Sequence, residues 1–390
     1  MGDLNDEEYE EAWFDDSLTR YDKLIMVEVD NPLYQITLSG PDSICALSKR
    51  NGRQGSLIQE LTLPGKLGLD RDADTDSNRP TKDRDLKINS GIYLDIETTQ
   101  ESIILVFSIL VEQSQRKIFA SKKGLDGVTV LRFNPEGKDK IVADTTLNVP
   151  LSNPSLDLTH GLLALSKSSL HPSFILDVET NGELAATLSV PSGRNWTSRE
   201  DTETIPVFMT SFEIGICEEM TGRIQIYDLR ADPTKSVSSV EGNKLGNWAF
   251  GAARRTVPFE DYYSFPKITR LSDHGLLEIF DLRSVTRPVS SSNLGIVKKS
   301  PSTVKSQLKF DPYSNSRLSV GGFDANIYVY DSKTGRRLFC HDGHVHTENC
   351  DVEGVVTASH VWVPGCTNLI VSVATNSSVN CWQFNSEGSG

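Results

Sequence analysis

Residues 321–331 read Gly-Gly-Phe-Asp-Ala-Asn-Ile-Tyr-Val-Tyr-Asp, and this stretch decides the fold because the chain repeats its pattern. The glycine pair and the Asp-Ala-Asn that follows are typical of a tight turn. The next four residues alternate between aliphatic and aromatic side chains, which is the two-residue period of a β-strand. The stretch therefore predicts a turn that leads into a short strand closed by Asp331.

Strand ends of the same kind recur along the chain at nearly constant spacing. Six residue pairs close short apolar segments: Phe133-Asn134, Leu176-Asp177, Tyr227-Asp228, Phe280-Asp281, Tyr330-Asp331 and Trp382-Gln383. Successive closing positions lie 43 to 53 residues apart, and a turn-and-strand unit that ends near Glu60 supplies a seventh repeat. Repeats of this length with several strands each indicate a β-propeller.

The two ends of the chain predict how the ring closes. Only seven residues follow Gln383, too few for a fourth strand, while the alternating segment from Leu24 to Val29 has no blade of its own. We therefore predict an all-β fold, a seven-bladed β-propeller closed by an N-terminal strand and preceded by a short helix. The expected organisation is an acidic segment with the helix at 1–22, the propeller at 23–384 with a mobile charged loop at 67–90, and a flexible tail at 385–390.

Composition narrows the class of function. The net charge of −14 argues against direct nucleic-acid binding, which needs clustered Lys and Arg, and favours basic partners. No apolar run approaches the ~18 residues of a membrane span. The acidic start predicts no signal peptide, so we expect a soluble protein without a membrane partner, monomeric on its own.

The closing strands resemble the WD-repeat β-propeller family in degenerate form. Tyr-Asp, Phe-Asp and Trp-Gln pairs stand where that family has Trp-Asp, and Gly343-His344 is the single well-placed Gly-His pair. Asp324 occupies the turn position whose carboxylate typically bonds the histidine of its repeat, but His344 belongs to the following repeat. We therefore expect that the family's Asp-His-Ser/Thr-Trp network is complete nowhere in this chain.

Further residues resemble one branch of that family, the assembly factors of the Integrator complex. The resemblance rests on Trp13, the strand end Leu61-Thr62-Leu63-Pro64, and a carboxyl-terminal group of Phe339, His341, Thr357, His360 and Trp362. It implies a non-enzymatic, cytoplasmic scaffold that binds the RNA endonuclease subunits of Integrator, which process snRNA, together with their assembly factor. It also implies association with tubulin and the mitotic spindle, and a partly nuclear location.

The acidic N-terminal segment is the first candidate for partner binding. Residues 3–16 hold eight carboxylates and no basic residue, and aromatic and aliphatic side chains recur there at three- and four-residue spacing. The segment either covers an open end of the propeller or docks on a partner, where it would occupy the basic groove of a nuclease. The loop 67–90 is the second candidate. The candidate residues are Asp6, Glu7, Glu8, Glu10, Glu11 and Trp13.

Two adjacent repeats end in Asp-x-Arg, with Arg230 after Asp228 and Arg283 after Asp281. Such endings resemble the box by which some WD-repeat proteins dock on the adaptor of cullin-RING ubiquitin ligases, and an arginine there can bind a partner carboxylate in bidentate fashion. The alternative function is therefore a ligase substrate receptor. The structural alternative is that each arginine pairs within its own blade.

The candidates for a metal site or a catalytic site are weaker. Residues 340–366 gather several His and Cys side chains without the tight Cys-x-x-Cys pairs of zinc sites, so we expect exposed imidazoles in a loop and no metal. Glu218-Glu219 and Asp273-His274 are the nearest to acid–base pairs, and we interpret the second as a turn. No catalytic motif is recognisable, and the sequence predicts neither enzymatic activity nor a cofactor.

Overall fold

The computed structural model describes residues 6–49, 55–67, 86–94, 106–122, 126–134, 141–152, 154–159, 161–180, 182–189, 201–243, 246–253, 266–298, 304–314, 316–346 and 354–385. Within these ranges one helix, α1 (Asp6–Arg20), precedes strands that form seven four-stranded antiparallel sheets. The protein is a seven-bladed β-propeller. No described helix is both long and apolar enough to cross a membrane.

The strands fall into blades in chain order, apart from the first. Blade 1 contains β2 (Leu33–Leu38), β3 (Ser43–Lys49), β4 (Ser56–Thr62) and β5 (Lys87–Leu94). Blade 2 contains β6 (Val106–Glu112), β7 (Lys117–Lys122), β8 (Asp126–Phe133) and β9 (Ile141–Ser152). Blade 3 contains β10 (Ser155–Thr159), β11 (Leu162–Ser166), β12 (Ser173–Asp177) and β13 (Glu183–Leu188). Blade 4 contains β14 (Thr204–Phe208), β15 (Glu213–Glu218), β16 (Ile224–Asp228) and β17 (Ser238–Val240).

The remaining blades complete the ring. Blade 5 contains β18 (Trp248–Ala253), β19 (Lys267–Ser272), β20 (Leu276–Asp281) and β21 (Ser290–Asn293). Blade 6 contains β22 (Gln307–Phe310), β23 (Arg317–Gly321), β24 (Ile327–Asp331) and β25 (Arg337–His341). Blade 7 contains β26 (Thr357–Trp362), β27 (Leu369–Ala374), β28 (Ser378–Phe384) and, as its outer strand, β1 (Tyr21–Glu28). The first strands of consecutive blades contact one another all round, from β2 through β6, β10, β14, β18 and β22 to β26 and back to β2.

The repeat pattern and the closure are confirmed. Every predicted closing pair, including the unit near Glu60, lies at or beside the end of the third strand of its blade, where side chains on both faces are buried. Strand β1 pairs antiparallel with β28, with Leu24 opposite Trp382 and Val27 opposite Val379. The ring is therefore closed by the N-terminal strand, which joins the two ends of the described chain in one sheet.

Each interface between neighbouring blades holds one buried apolar cluster. The cluster between blades 6 and 7, for example, stacks Phe339 on Trp382 with ring centroids 5.6 Å apart, and Trp382 is fully buried. At the other six interfaces the clusters are mainly aliphatic and come mostly from the first three strands of each blade. Burial between sheets explains why the inner strands are almost continuously apolar, and it fixes each blade against the next.

The predicted loop 67–90 is wrong at both ends. Leu67 is fully buried in the cluster between blades 7 and 1, and residues 87–90 begin strand β5. As the outer strand of its blade, β5 is exposed or half-buried at every residue except Ser90, so the start of its sequence, Lys-Ile-Asn-Ser, resembles a loop. Residues 68–85 and 386–390, which hold the rest of the loop and most of the predicted tail, lie outside the described ranges.

Candidate functional site

Helix α1 is anchored to blade 6 by a single carboxylate. The indole Nε1 of Trp13 donates to Asp342 Oδ1 at 3.0 Å, and Arg20 Nη2 donates to the same oxygen at 3.1 Å while its Nη1 reaches Oδ2 at 3.3 Å. Trp13 also stacks on His346, with ring centroids 4.1 Å apart. Arg20 pairs in addition with Asp16 at 2.7 Å. The second half of the helix is thereby fixed to the segment that follows β25.

The opposite side of the helix presents apolar side chains to solvent. Phe14 is 58% exposed and Leu18, one turn later, is 66% exposed. Ser17, by contrast, is buried against the propeller. The apolar residues of α1 thus lie on two faces, because Trp13 faces the blade and Phe14 and Leu18 face outward.

The carboxylates at the start of α1 belong to the helix, as predicted. Asp6, Glu7, Glu8, Glu10 and Glu11 all lie between its first residue and Trp13, but their side chains are outside the described part of the chain. Asp15 and Asp16 are exposed beside Phe14. The outward face of α1 therefore combines two apolar side chains with neighbouring negative charge.

The two Asp-x-Arg boxes have the same geometry. Arg230 Nε and Nη2 donate to the two carboxylate oxygens of Asp228 at 2.9 and 2.8 Å, and Arg283 donates likewise to Asp281 at 3.0 and 2.6 Å. These hydrogen bonds lower the pKa of both carboxyls below the usual value. Both arginine side chains are 60% exposed. Each guanidinium thus pairs within its own turn, and its role in partner binding stays a prediction.

The expectation of an incomplete network holds for its aspartate, which Asn376 replaces in blade 7, but the part from the histidine to the tryptophan is formed there. His344 Nδ1 lies 2.6 Å from Ser378 Oγ and its Nε2 lies 2.8 Å from Ser372 Oγ, to which the Trp382 indole donates at 3.0 Å. The Ser378 hydroxyl in turn donates to Asn376 Oδ1 at 2.6 Å. Ser378 and Asn376 thus supply the hydrogen-bonding oxygens that an aspartate supplies in the family's network. The hydrogen bonds that connect His344 to Trp382 through Ser372 are present.

His341 and His360 are also fully buried, which corrects the expectation of exposed imidazoles for these two, while His346 is half-buried. His341 Nδ1 lies 2.8 Å from the Tyr21 hydroxyl and its ring stacks on Trp382 with centroids 4.4 Å apart. His360 Nε2 lies 2.8 Å from the hydroxyl of Ser319. Burial lowers the pKa of His344 to about 3 and those of His341 and His360 well below their usual value.

These imidazoles are therefore neutral structural groups. In the described part of the chain no group of three or more His, Cys, Asp or Glu side chains is arranged to hold a metal ion, and Cys350 lies outside that part. Asp273-His274 forms the turn between β19 and β20, with His274 64% exposed. Glu218 accepts a hydrogen bond from Thr221 at 2.7 Å, while Glu219 pairs with Lys305 at 2.7 Å.

Comparison with known proteins gives relatives over the whole chain. No protein-family model matches. The Integrator complex assembly factor WDR73 of Danio rerio is 24% identical over 398 residues, covering 98% of each chain. The factor of the same name from Xenopus laevis is 23% identical over 385 residues, covering 95% of this chain and 96% of the relative, and that from Homo sapiens is 26% identical over 187 residues, covering 42% and 46%.

The chain is a WD-repeat propeller most like WDR73. The similarity to WDR73 of Danio rerio spans nearly the full length, so it includes both α1 and the segment of blade 6 that anchors it. The names of the WDR73 relatives together with the propeller fold support a scaffold in assembly that works through protein partners.

Sequence reasoning did not find Asp342 and His346. Asp342 lies 329 residues from Trp13, and no local pattern connects the two. The available signal was the WDR73-like group around Gly343-His344, which marked this segment as informative without indicating that α1 docks there.

Proposed function

We propose that this chain is a non-enzymatic, cytoplasmic assembly factor that binds and stabilises the RNA endonuclease module of the Integrator complex. The proposal is supported by similarity to WDR73 over 98% of the chain and by a propeller that presents loops on two faces of a rigid ring. The anchoring of α1 assigns the proposal to particular residues, because it fixes one face of the helix against the propeller and leaves the other face exposed.

The exposed face of α1 has the character of a docking surface. Phe14 and Leu18 offer apolar area on a rigid helix, and such anchors dominate binding energy when a partner pocket desolvates them. The flanking carboxylates match a basic surface, and a nuclease that cleaves RNA needs such a surface for phosphate. In this arrangement the acidic segment covers the nuclease groove during assembly and prevents premature cleavage.

Co-purification with the endonuclease subunits tests the proposal. The full chain should capture them, and Phe14→Ser combined with Leu18→Ser should weaken capture at least about tenfold, because two desolvated apolar contacts are lost. Leu170→Ser combined with Leu184→Ser is the matched control, since these leucines are 51% and 58% exposed on blade 3. Failure of the unaltered chain to capture the subunits would reject the function, whereas equal loss in both variants would reject only the surface.

Salt dependence tests the role of charge separately. Deletion of residues 1–16 should lower the affinity and flatten its dependence on salt, because fewer ion pairs form in the complex. If neither quantity changes, the acidic segment is excluded and the part of the predicted loop between Leu67 and β5 becomes the candidate. The same purification tests tubulin as a partner, whereas the spindle and partly nuclear locations that the resemblance implies need imaging of the labelled chain in cells.

The ligase-receptor alternative has one supporting observation. Adjacent blades 4 and 5 present Arg230 and Arg283 in matching, solvent-exposed turns. In this alternative each arginine must bind its own aspartate and a carboxylate of the partner at the same time. Recovery of the ligase adaptor with the full chain is the measurement that favours it.

A further inference from the structure

A group of cations lies on the outer side of blades 5 and 6, where the turn before β25 packs against β21. The hydroxyl of Ser290 donates to the Lys333 carbonyl at 3.3 Å, and a Cβ on Gly335 would lie 2.5 Å from the Ser292 hydroxyl. The turn and the chain that leads into β21 carry four exposed cations: Arg287, Lys333, Arg336 and Arg337. We call these four residues together with β21 the basic surface.

The carboxylates beside these cations already have partners within the fold. Asp331 Oδ1 accepts hydrogen bonds from the backbone N–H groups of Lys333 and Thr334 at 3.0 and 2.7 Å, and from the Thr334 hydroxyl at 2.8 Å. Asp281 pairs with Arg283. Among the described residues, none of the four cations forms an ion pair. The basic surface is therefore a local excess of positive charge on a chain of net charge −14.

Arg337 lies on the side of blade 6 that faces blade 5. It is opposite Tyr330 in the pairing of β24 with β25, and paired residues share one face of a sheet. Tyr330 faces blade 5, because its hydroxyl donates to the Leu294 carbonyl at 3.3 Å, directly after β21. Burial raises the pKa of Tyr330 to about 12, and the charge of Arg337 opposes this rise. Arg337 and Arg287 therefore lie on the two sides of the same contact between blades.

Strand β21 offers backbone and apolar contacts beside the charges. It is the outer strand of blade 5, so one of its edges pairs with no described strand. Val289, directly before it, is 59% exposed, and Ser291 and Asn293 are also exposed. A free edge can accept an extended peptide as a further strand, while flanking cations repel a second copy of the same edge. The outer strand of blade 3 also has a free edge, but it begins at the exposed Glu183, which disfavours an acidic peptide.

We propose that the basic surface binds an extended acidic segment of a partner protein. The segment pairs with the free edge of β21, its carboxylates bind Arg287, Lys333 and Arg337, and an apolar side chain between them covers Val289. Arginine suits this role because its guanidinium binds a carboxylate in bidentate fashion. A long nucleic acid fits less well, because its phosphates extend past the basic surface to the acidic remainder of the chain. This inference does not depend on the proposed function.

Methyl NMR of the full chain tests the proposal with short peptides. The probe is acetyl-Glu-Asp-Val-Glu-Asp-amide, and the matched control has glutamine and asparagine in place of the four acids. The signals of Val289, assigned with Val289→Ala, should shift in a saturable manner with the acidic peptide only. Val237, which is 55% exposed and precedes the outer strand of blade 4 in the same way, supplies the control signals and should move much less.

Charge variants locate the binding. Arg287→Ala combined with Lys333→Ala should weaken binding about fivefold, because two ion pairs with the peptide are lost. Arg132→Ala combined with Lys235→Ala is the matched control, since these side chains are 53% and 80% exposed on blades 2 and 4. The control removes the same charge from the chain and should leave the affinity within about twofold, because screening by salt weakens distant charges.

Several results would overturn the proposal. Unmoved Val289 signals, equal shifts with the uncharged peptide, or equal weakening in the two double variants each rejects the basic surface as an acidic-peptide site. A uridine pentanucleotide without a terminal phosphate has the same number of negative charges as the probe. If it binds more tightly than the acidic peptide, the surface recognises nucleic acid and the proposal is rejected.

Discussion

The indole of Trp13 stacks on the imidazole of His346, with ring centroids 4.1 Å apart and an interplanar angle of 20°. Trp13 belongs to α1 and His346 to the segment that follows blade 6. The indole of Trp13 also donates a hydrogen bond to Asp342 in that segment. This contact fixes the orientation of the helix and therefore of the Phe14–Leu18 face.

Removing the anchoring carboxylate should release the helix. Asp342→Ala deletes the acceptor for both Trp13 and Arg20, and we expect a loss of about 1–3 kcal/mol in the free energy of unfolding, since these are partly buried, charge-assisted hydrogen bonds. Urea denaturation measures the loss, and limited proteolysis should show faster cleavage before residue 20. The control is Asp22→Ala at an exposed position of β1, and equal effects in the two variants would contradict the anchor.

Closure of the ring by β1 should make the domain sensitive to one substitution in that strand. Val27→Asp places a charge opposite Val379 at the pairing of β1 with β28, and we expect about 2–4 kcal/mol of destabilisation in a single transition. Met26→Asp, on the more exposed side of the same strand, should cost much less. A thermal melt of Val27→Asp that matches the unaltered chain would reject closure by this strand.

Stability should fall as the pH is lowered from about 6.5 towards 5. The folded chain keeps His344 neutral down to a pKa of about 3, while the unfolded chain takes up a proton near the ordinary value of 6.5. The unfolded state therefore binds more protons in this window, and each such histidine contributes a slope of about 1 kcal/mol per pH unit. His341 and His360, with pKa values lowered by burial, act in the same direction.

Urea denaturation at pH 7.5, 6.5 and 5.5 measures this slope. His344→Asn should reduce it by about one proton, because the group that titrates only in the unfolded state is gone. Val289→Ala, which changes an exposed residue without a titratable group, should leave the slope unchanged. A slope that is the same in all three proteins would show that His344 is not held neutral by the fold.

The paired Asp-x-Arg turns predict a difference between stability and binding. Arg230→Ala combined with Arg283→Ala should leave the melting temperature nearly unchanged, because exposed ion pairs contribute little. Under the assembly-factor proposal, capture of the endonuclease subunits also persists. If the unaltered chain captures the ligase adaptor and this variant does not, the ligase-receptor alternative replaces it.

The sequence predicted the propeller because its third strands carry the repeat. Strand β24, with Tyr330 at its end, is buried on both faces, so its apolar pattern is strong and returns in every blade. Outer strands have a weaker apolar pattern because one of their edges faces solvent. For this reason the sequence predicts a loop for the first residues of β5. The pairing of β1 with β28 was predictable from an unassigned strand at one end and a missing strand at the other.

No repeated pattern in the sequence predicts the contacts between residues that are far apart in the chain. The buried state of His341 depends on Tyr21, 320 residues away, and Asn376 replaces the expected acid of the histidine network through Ser378. Side-chain substitutions of this kind preserve hydrogen bonding while changing the motif, so a motif search misses them.

The pairing of β1 with β28 has a consequence for synthesis. Strand β1 leaves the ribosome long before its neighbour β28, so blades 1 to 6 can form while blade 7 still lacks its third strand. Until residue 384 has emerged, β1 lacks the strand with which it pairs. Helix α1 can contact Asp342 and His346 before then, whereas the strand that follows it takes its final place only after β28 has been synthesised.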